Sequence, residues 1–387
     1  MRAFVNLYII LFLIDGIVSL VDIMTGRLLG IQPLSVFQGI LAIVVLVVSL
    51  LLYLLIGCMR GFPKRVVLIL VLFTVWGGLF FALPLPIYIG FSNTLLFLSI
   101  VQFWLGCVIL VVLRYSGENG EWLHSRSDFE QLTFRWKRLF GFVAVNVAFV
   151  IPLVVVYLVV SLSLATSHLS RGFIHLGVSG ISVEARTYLY EGKNIFLLPT
   201  VHIAQPSFYK KLVEPLSIEN TLVIPEGVTD KHNVLKKSLD YSNLARSMGL
   251  EAQNNQSIIA GRSTEFCDVD ISDFSPGTVD FIRTYISISE TWASGNRMLA
   301  VQQYLAVSDT DLGLFWKDLV NFRNSRVITC ITEHMQTYEY IVIPWGAMHM
   351  PGIERTIMSW DATVVERRRI PVWDWLSQEQ KGIKKFF

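Results

Sequence analysis

Five long apolar segments, all within the first 165 residues, constrain this chain more than any other feature. The chain of 387 residues is 53% hydrophobic and only 16% charged, and the imbalance lies almost wholly in this half. The segments cover residues 5–24, 36–59, 66–91, 94–113 and 140–164. Each approaches or exceeds the roughly 20 apolar residues that a helix needs to cross a bilayer. The sequence therefore predicts an N-terminal α-helical transmembrane bundle over residues 1–165, with about five spans.

Basic residues collect on one side of these segments. That side carries Arg2, Arg60, Lys64, Arg65, Arg114, Arg126, Arg135, Lys137 and Arg138. The opposite side carries only Arg27. Because short loops rich in Lys and Arg stay in the cytoplasm, the N-terminus is expected to be cytoplasmic. Five crossings then place residues 166–387 outside the cytoplasm.

Two acidic residues, Asp15 and Asp22, interrupt the first apolar segment. Ionisable groups inside a span can mark an ion or proton pathway. A bundle-facing or helix-end pair, with no basic partner in another span, is the commoner arrangement and the interpretation that we favour from sequence. Asp15 also argues against a cleaved signal peptide, because it falls inside what would be the apolar core of that peptide.

Beyond residue 165, short β-branched runs alternate with amphipathic stretches. The expected strands are 181–190, 195–199, 221–225, 257–260, 339–343 and 363–366, with a hairpin turn at 191–194. The expected helices are 206–216, 232–248, 276–290, 296–306, 311–322, 325–336 and 351–358. This alternation predicts an α/β domain with a mostly parallel central sheet. The tail 373–387 mixes aromatic and lysine residues, which fits either a polar helix or a segment lying on membrane lipid.

Three polar residues follow apolar strands of this domain. Two strands run on to histidines, His202 and His349, and the strand between them runs into Glu226. Polar residues beyond the carboxyl ends of such strands are where open α/β sheets bind ligands. Two imidazoles and a carboxylate suit a divalent metal ion such as Mn, Co or Zn, and leave room for an activated water. The pattern therefore predicts a metal site, against the alternative that each histidine is a hydrogen-bonded structural residue.

Five further residues are candidate binding positions. Asp268 and Asp270 follow a short extended stretch, where they supply further ligands or cap a helix. The pair Arg323 and Asn324 suits an anionic group or a helix terminus. Gly346, just before the second histidine, lets the backbone turn sharply and approach a ligand closely.

Several familiar motifs are absent. The chain has no GxSxG nucleophile elbow, no HExxH, no P-loop and no GxGxxG after a strand. Serine hydrolases, zincins, nucleotide hydrolases and dinucleotide enzymes therefore lose their usual support, and nucleic acid is not an expected partner. Cys267 and Cys330 can pair in an oxidising compartment, whereas Cys58 and Cys107 lie in apolar segments.

Several of these features together resemble the TraB/GumN family, which is related to Tiki. They are the hairpin 185–198 leading into Pro-Thr-Val-His, the strand ending in Glu226, the Arg323-Asn324 pair and the run Gly-Ala-Met-His-Met-Pro-Gly at 346–352. The resemblance covers residues 179–372. The family's mark is a GxxH motif at each end of the domain, and here Pro199 stands in place of the first glycine.

The resemblance implies an α/β domain in which the two motif histidines and the intervening acid build the site. In this chain these are His202, His349 and Glu226. Tiki-like members are described as divalent-metal-dependent proteases that act outside the cell. TraB-like members are associated with a peptide pheromone, and the more distant ChaN is linked to haem.

The leading hypothesis from sequence is a membrane-anchored, metal-dependent hydrolase, a peptidase, acting outside the cytoplasm. His202, Glu226 and His349 hold the metal in this hypothesis; if Glu226 is instead the general base, Asp268 or Asp270 supplies the missing ligand. One alternative is a non-catalytic module that binds or sequesters a peptide or haem-like ligand. Another is a multi-span transporter or signalling protein whose soluble domain senses. The sequence leaves oligomeric state open.

Overall fold

The structure is a computed structural model that describes residues 1–116, 120–235, 242, 245, 249–253, 256–305 and 316–375. The chain divides into two compact units, Met1–His168 and Leu169–Phe387. The division falls where the apolar segments give way to the alternating pattern.

The first unit is helical. Its helices are α1 (Arg2–Leu29), α2 (Ser35–Cys58), α3 (Lys64–Ala82), α4 (Leu85–Ile89), α5 (Phe91–Ser116), α6 (Trp136–Val145) and α7 (Ile151–Leu169). A π-helical turn, Asn146–Val150, joins the last two into one helix, Trp136–Leu169. Two short strands, β1 (Met59–Arg60) and β2 (Thr133–Phe134), pair antiparallel. Among the described residues, five helices are long and apolar enough to cross a membrane, as the sequence predicts.

The third apolar segment ends earlier than expected. The sequence predicts one span over 66–91, whereas α3 ends at Ala82 and the short helix α4 follows. Pro84 explains the break, because proline lacks the N–H of the helix ladder and disfavours helical backbone in the residue before it. The helix α3 is left with 19 residues, close to the length needed to span a bilayer.

The second unit is an α/β domain. Its described strands are β3 (Ile174–Gly177), β4 (Gly180–Tyr190), β5 (Lys193–Thr200), β6 (Ile203–Ala204), β7 (Thr221–Val223), β8 (Glu251–Ala252), β9 (Ser263–Thr264), β10 (Tyr340–Gly346) and β11 (Thr363–Asp374). Its described helices are α8 (Pro206–Val213), α9 (Gln256–Ile259), α10 (Pro276–Ala293), α11 (Arg297–Leu305), α12 (Arg323–His334) and α13 (Met350–Ser359). A π-helical segment, Trp316–Phe322, runs directly into α12.

Seven of these strands form one mixed sheet, in the order β11-β4-β5-β10-β7-β9 with β3 beside β4. The neighbours β5, β10, β7 and β9 are parallel, whereas β11 and β3 pair antiparallel with β4, and β4 with β5. The antiparallel half follows from the hairpin. Glu191 and Gly192 have φ of 46° and 76°, the left-handed geometry of a two-residue hairpin turn. The expected mostly parallel sheet is therefore parallel in only one half.

The central strand β10 is buried on both faces. Ile343 and Trp345 pack with Val327 of α12 and Ile353 of α13. On the opposite face, Val342 belongs to a second cluster that includes residues of α8. Burial on both faces explains why this strand reads as an unbroken apolar run without alternation.

One expected strand is wrong, and some expected elements fall outside the residues that the structure describes. Residues 257–260 are predicted as a strand, but the helix α9 occupies this place. A run of so few apolar residues fits a strand and a buried helical turn equally well, so its periodicity cannot decide. Most of the expected helix 232–248, part of 311–322 and the tail beyond residue 375 lie outside the described residues.

Candidate active site

The ends of the parallel strands bring three polar segments together. Glu226 comes shortly after β7, and its backbone N–H donates to the Pro344 carbonyl of β10 at 3.4 Å. Asp268 follows β9, and His349 lies between β10 and α13. Because parallel strands end at the same edge of a sheet, these residues meet there. Glu226 Oε1 lies 3.5 Å from His349 Nε2, so two of the three expected site residues are neighbours.

Arg323, the first residue of α12, lies at the centre of the site. Its Nε and Nη2 donate to the two carboxylate oxygens of Asp268 at 2.9 and 2.6 Å. Nη2 also donates to Glu226 Oε1 at 2.7 Å, and Nη1 lies 3.2 Å from His349 Nε2. A fork of this kind is the strongest way in which arginine binds a carboxylate. Arg323 therefore ties the other three side chains into one network.

Asn324 fixes the tautomer of His349. Its Nδ2 donates to the His349 carbonyl at 3.3 Å, and its Oδ1 faces His349 Nδ1 at 2.7 Å. An amide oxygen can only accept, so Nδ1 of the ring carries the hydrogen. In the neutral ring, Nε2 is then the acceptor for Arg323. The basic nitrogen of His349 thus points toward the charged side of the site.

Glu226 is the more exposed of the two carboxylates, with 14% of its side chain accessible against 1% for Asp268. Its Oε2 accepts the Gly346 N–H at 2.6 Å. A Cβ at Gly346 would lie 3.1 Å from this oxygen, so glycine permits the close approach. Burial alone raises the pKa of Glu226, but hydrogen bonding with the protonated form of His349, the charge of Arg323 and the Gly346 N–H outweigh it and lower the pKa. Glu226 is therefore ionised at neutral pH.

The network holds one more negative charge than positive. Arg323 contributes one positive charge, whereas Asp268 and Glu226 contribute one negative charge each. The other partners of Asp268 are neutral backbone N–H groups, those of Gly227 and Val269, at 2.9 Å. A proton on His349 would balance the site and would face Glu226. His349 Nε2 therefore faces the surplus negative charge of the site through Glu226.

Trp345 packs against His349 and Arg323 and is a residue that the sequence reasoning missed. It is fully buried, and its Nε1 donates to the Ile224 carbonyl at 3.0 Å. The His349 ring stands edge-on to it at 5.0 Å between centroids, and the Arg323 guanidinium carbon lies 5.1 Å from its ring centre. Its place directly before Gly346 in the sequence is the signal that could have identified Trp345 as a residue of the site. A tryptophan within an apolar strand is ordinarily interpreted as a core residue instead.

A disulfide joins the two segments that hold the charged network. Cys267, the residue before Asp268, is bonded to Cys330 of α12. Arg323 begins the same helix. The bond that the sequence leaves conditional on an oxidising compartment is therefore formed, and it ties Asp268 to the helix that carries its partner.

His202 and Asp270 are placed differently. His202 is exposed in the loop after β5, and its carbonyl accepts the Gln253 N–H at 2.8 Å. Asp270 caps the 3₁₀ turn Ile271–Asp273, and its Oδ1 accepts the Ser272 N–H at 3.1 Å. Hydrogen bonds from the Lys231 N–H, the Thr229 hydroxyl and Ser272 lower the pKa of Asp270. Asp270 thus has the capping role that the sequence left open.

The expected metal centre is not formed. The described residues, which include His202, Glu226 and His349, contain no group of three or more His, Cys, Asp or Glu side chains placed to hold a metal ion. The two donor atoms that do meet, Glu226 Oε1 and His349 Nε2, both contact the Arg323 guanidinium. A cation already lies between them and would repel a second one. As arranged, these residues do not fit a divalent metal.

No family model matches the chain, and no curated protein or solved structure was found to be similar to it.

Proposed function

We propose that this protein is a hydrolase anchored in the membrane by its N-terminal helices, and that its α/β domain cleaves peptides outside the cytoplasm. The observation that carries the proposal is the pairing of His349 with Glu226. The tautomer of His349 is fixed by Asn324, and its Nε2 lies 3.5 Å from an ionised carboxylate. The resemblance of residues 179–372 to the TraB/GumN family supports a peptide substrate.

In the proposed reaction His349 is the general base. Its Nε2 takes a proton from a water molecule as the water oxygen attacks the carbonyl carbon of the substrate, and later returns that proton to the leaving amine. Glu226 stabilises the protonated imidazole between these steps, because the opposite charges face each other. Arg323 and Asn324 are positioning residues for this pair.

Arg323 can release His349 without leaving the site. Its Nη1 also lies 3.5 Å from the Leu319 carbonyl, so this nitrogen has a second acceptor. The Nε and Nη2 contacts with Asp268 hold the rest of the guanidinium in place. The Nε2 lone pair then becomes available to a substrate water.

The proposed reaction does not pass through a metal ion. The TraB/GumN resemblance implies a divalent metal, but here the guanidinium of Arg323 contacts the donor atoms of both Glu226 and His349. In this chain a fixed cation stands where the resemblance implies a metal. We propose that the network is complete without one.

Two observations support the location outside the cytoplasm. The basic residues of the N-terminal half favour one side of the five apolar helices, and an odd number of spans leaves the α/β domain on the other side. The Cys267–Cys330 disulfide is consistent with that side, because disulfides persist outside the reducing cytoplasm.

The test is hydrolysis by the full-length protein in detergent, using a defined mixture of synthetic peptides analysed by mass spectrometry. We expect H349N and E226Q to lose roughly 10²–10⁴-fold in rate, the usual contribution of general base catalysis. H232N is the matched control, because His232 is an exposed residue of the loop that follows Glu226. A strong chelator is expected to leave the rate unchanged. Full activity of H349N would overturn the proposal, and loss with chelator that zinc restores would overturn its metal-free form.

A second candidate, a non-catalytic binding module, is favoured by one observation. Both ring nitrogens of His349 already have protein partners, and the side chain is almost fully buried. In this second candidate the network is structural, and a ligand binds beside it without turnover. Retention of unmodified peptide by the full-length protein, equal in wild type and H349N and without product, would support the module over the hydrolase.

A further inference from the structure

One face of α1 is polar although the helix as a whole is apolar. Tyr8, Asp15, Ser19 and Asp22 are each at most 6% exposed. Their successive spacings of seven, four and three residues place them along one side of the helix. α1 packs chiefly against α5 and α2, so this polar stripe faces the interior of the helical unit.

Most of the stripe is satisfied by neighbouring helices. The Tyr8 hydroxyl lies within hydrogen-bond distance of Ser49 and Thr74, at 2.8 and 3.2 Å. Ser19 Oγ lies 2.6 Å from Ser99 Oγ of α5. Asp22 Oδ1 accepts a backbone N–H at 2.7 Å. These contacts are those expected for buried polar groups.

Asp15 is the exception. Its Oδ2 accepts from Gln102 Nε2 of α5 at 2.9 Å, but its Oδ1 is buried and has no hydrogen-bond partner among the described residues. The same Gln102 nitrogen donates to the Phe12 carbonyl at 2.9 Å, so both of its hydrogens are used. The ion pairs of the described residues do not include Asp15.

Two glycines allow α1 and α5 to pack closely beside Asp15. A Cβ at Gly16 would lie 3.2 Å from the Phe103 nitrogen, and one at Gly106 would lie 2.8 Å from Leu13 Cδ1. This close contact of α1 with α5 leaves little room for water beside Asp15. An ionised carboxylate held by a single neutral amide in such a place is strongly unfavourable.

The described helices α1, α2, α3 and α5 carry no basic side chain near their middles. Asp15 lies near the middle of α1 (Arg2–Leu29), about 20 Å from either end. Apart from Asp15 and its stripe partners, the titratable residues of α1, α2, α3 and α5 are Arg2, Arg27, Tyr53, Cys58, Lys64, Arg65, Cys107, Arg114 and Tyr115. The positively charged ones are all near helix ends. The groups that contact the Asp15 carboxyl are therefore neutral.

We propose that Asp15 is a proton-binding site of the helical unit, and that Gln102 is the residue that positions its carboxyl group. A proton from water bonds to Oδ1 and removes the charge, while Oδ2 remains the carbonyl oxygen that accepts from Gln102. The ligand is H⁺, which requires no coordination sphere and fits a closely packed helix contact. This site is independent of the proposed hydrolase.

The test is infrared spectroscopy of the full-length protein in lipid nanodiscs at neutral pH. A protonated carboxyl group in an apolar setting has a carbonyl band separate from those of carboxylates and amides. We expect this band in the wild type, its loss in D15N and its retention in D22N, the matched acidic residue on the same face. In Q102L the band is expected to move to higher frequency, because the carbonyl loses its donor.

Asparagine has nearly the shape of the neutral acid, so D15N is expected to keep the helical circular dichroism of the wild type. An unchanged band in D15N, or no such band in the wild type, would overturn the proposal. Should D15N fail to fold, Q102L still decides, because a band at an unchanged frequency would exclude Asp15 as its source.

Discussion

Arg323 Nη2 donates to Glu226 Oε1 at 2.7 Å, across 97 positions of the chain. The same guanidinium contacts Asp268 and His349. Arg323 is therefore the internal counterion of two buried carboxylates. Its removal should lower the stability of the α/β domain and should create affinity for metal at the site. The two effects can be measured separately.

Replacing Arg323 with methionine should strongly destabilise the α/β domain. The side chain is only 7% exposed, and the change leaves two buried carboxylates without their cation. Breaking one partner of a buried ion pair typically costs about 3–5 kcal/mol. Thermal and denaturant unfolding of the full-length protein in detergent, followed by tryptophan fluorescence, measures this loss.

The control is R283M, because Arg283 forms an exposed ion pair with Asp280. Surface pairs contribute little to stability, so this variant should unfold close to the wild type. Equal stability of R323M and R283M would contradict the view that the Arg323 network is desolvated and structurally important.

Part of this site could be predicted from sequence. Glu226, His349 and Gly346 belong to or directly follow apolar strands, and strand ends in an α/β sheet converge by topology. Asp268, Arg323 and Asn324 were recognisable as polar groups in suitable places. The five apolar helices followed from length and composition alone.

Other parts could not be predicted, for physical reasons. Nothing local shows that α12 brings Arg323 between Glu226 and His349, because that depends on long-range packing. A strand followed by a histidine does not fix the path of the connecting loop, so the sequence predicts a group of metal ligands with His202 that the described residues do not form. The helix Gln256–Ile259 lies where the sequence predicts a strand over 257–260, because a short apolar run suits both.

Removal of Arg323 should also create affinity for metal. Without the guanidinium, Glu226 Oε1 and His349 Nε2 remain as two facing donor atoms, 3.5 Å apart in the present structure, and zinc accepts both ligand types. We expect wild-type protein to bind no stoichiometric zinc in isothermal titration, R323M to show weak binding, and R323M combined with H349N to lose it. Stoichiometric zinc in the wild type, absent from H349N, would show that the native site is a metal centre after all.

Glu226 should make the stability of the domain depend on acid pH. Its pKa is lowered in the folded state from an ordinary value of 4.5, so the unfolded chain binds the proton more readily. Its stabilising contribution is therefore present above about pH 4.5 and is lost progressively as pH falls toward the folded-state pKa. A contribution on the order of 2–3 kcal/mol is expected for a shift of this kind.

E226Q should lower stability at neutral pH and flatten this acid-side dependence. E333Q, at an exposed glutamate of α12, should reproduce the wild-type profile. Thermal unfolding between pH 3 and 7 measures all three proteins. Parallel profiles for wild type and E226Q would contradict a lowered pKa at Glu226.

The Cys267–Cys330 disulfide should be needed to hold the charged network together. It closes a loop across 63 positions of the chain and joins the Asp268 segment to α12. Disulfides of this span typically contribute about 2–4 kcal/mol. The free energy of unfolding of the C267S, C330S double variant should therefore be lower than that of the wild type by this amount. C58S with C107S is the matched control, because these two cysteines are free in the helical unit.

Maleimide labelling of the denatured, unreduced protein should modify two of its four cysteines. Labelling of all four in protein taken directly from cells would place the domain in a reducing compartment and contradict the proposed location.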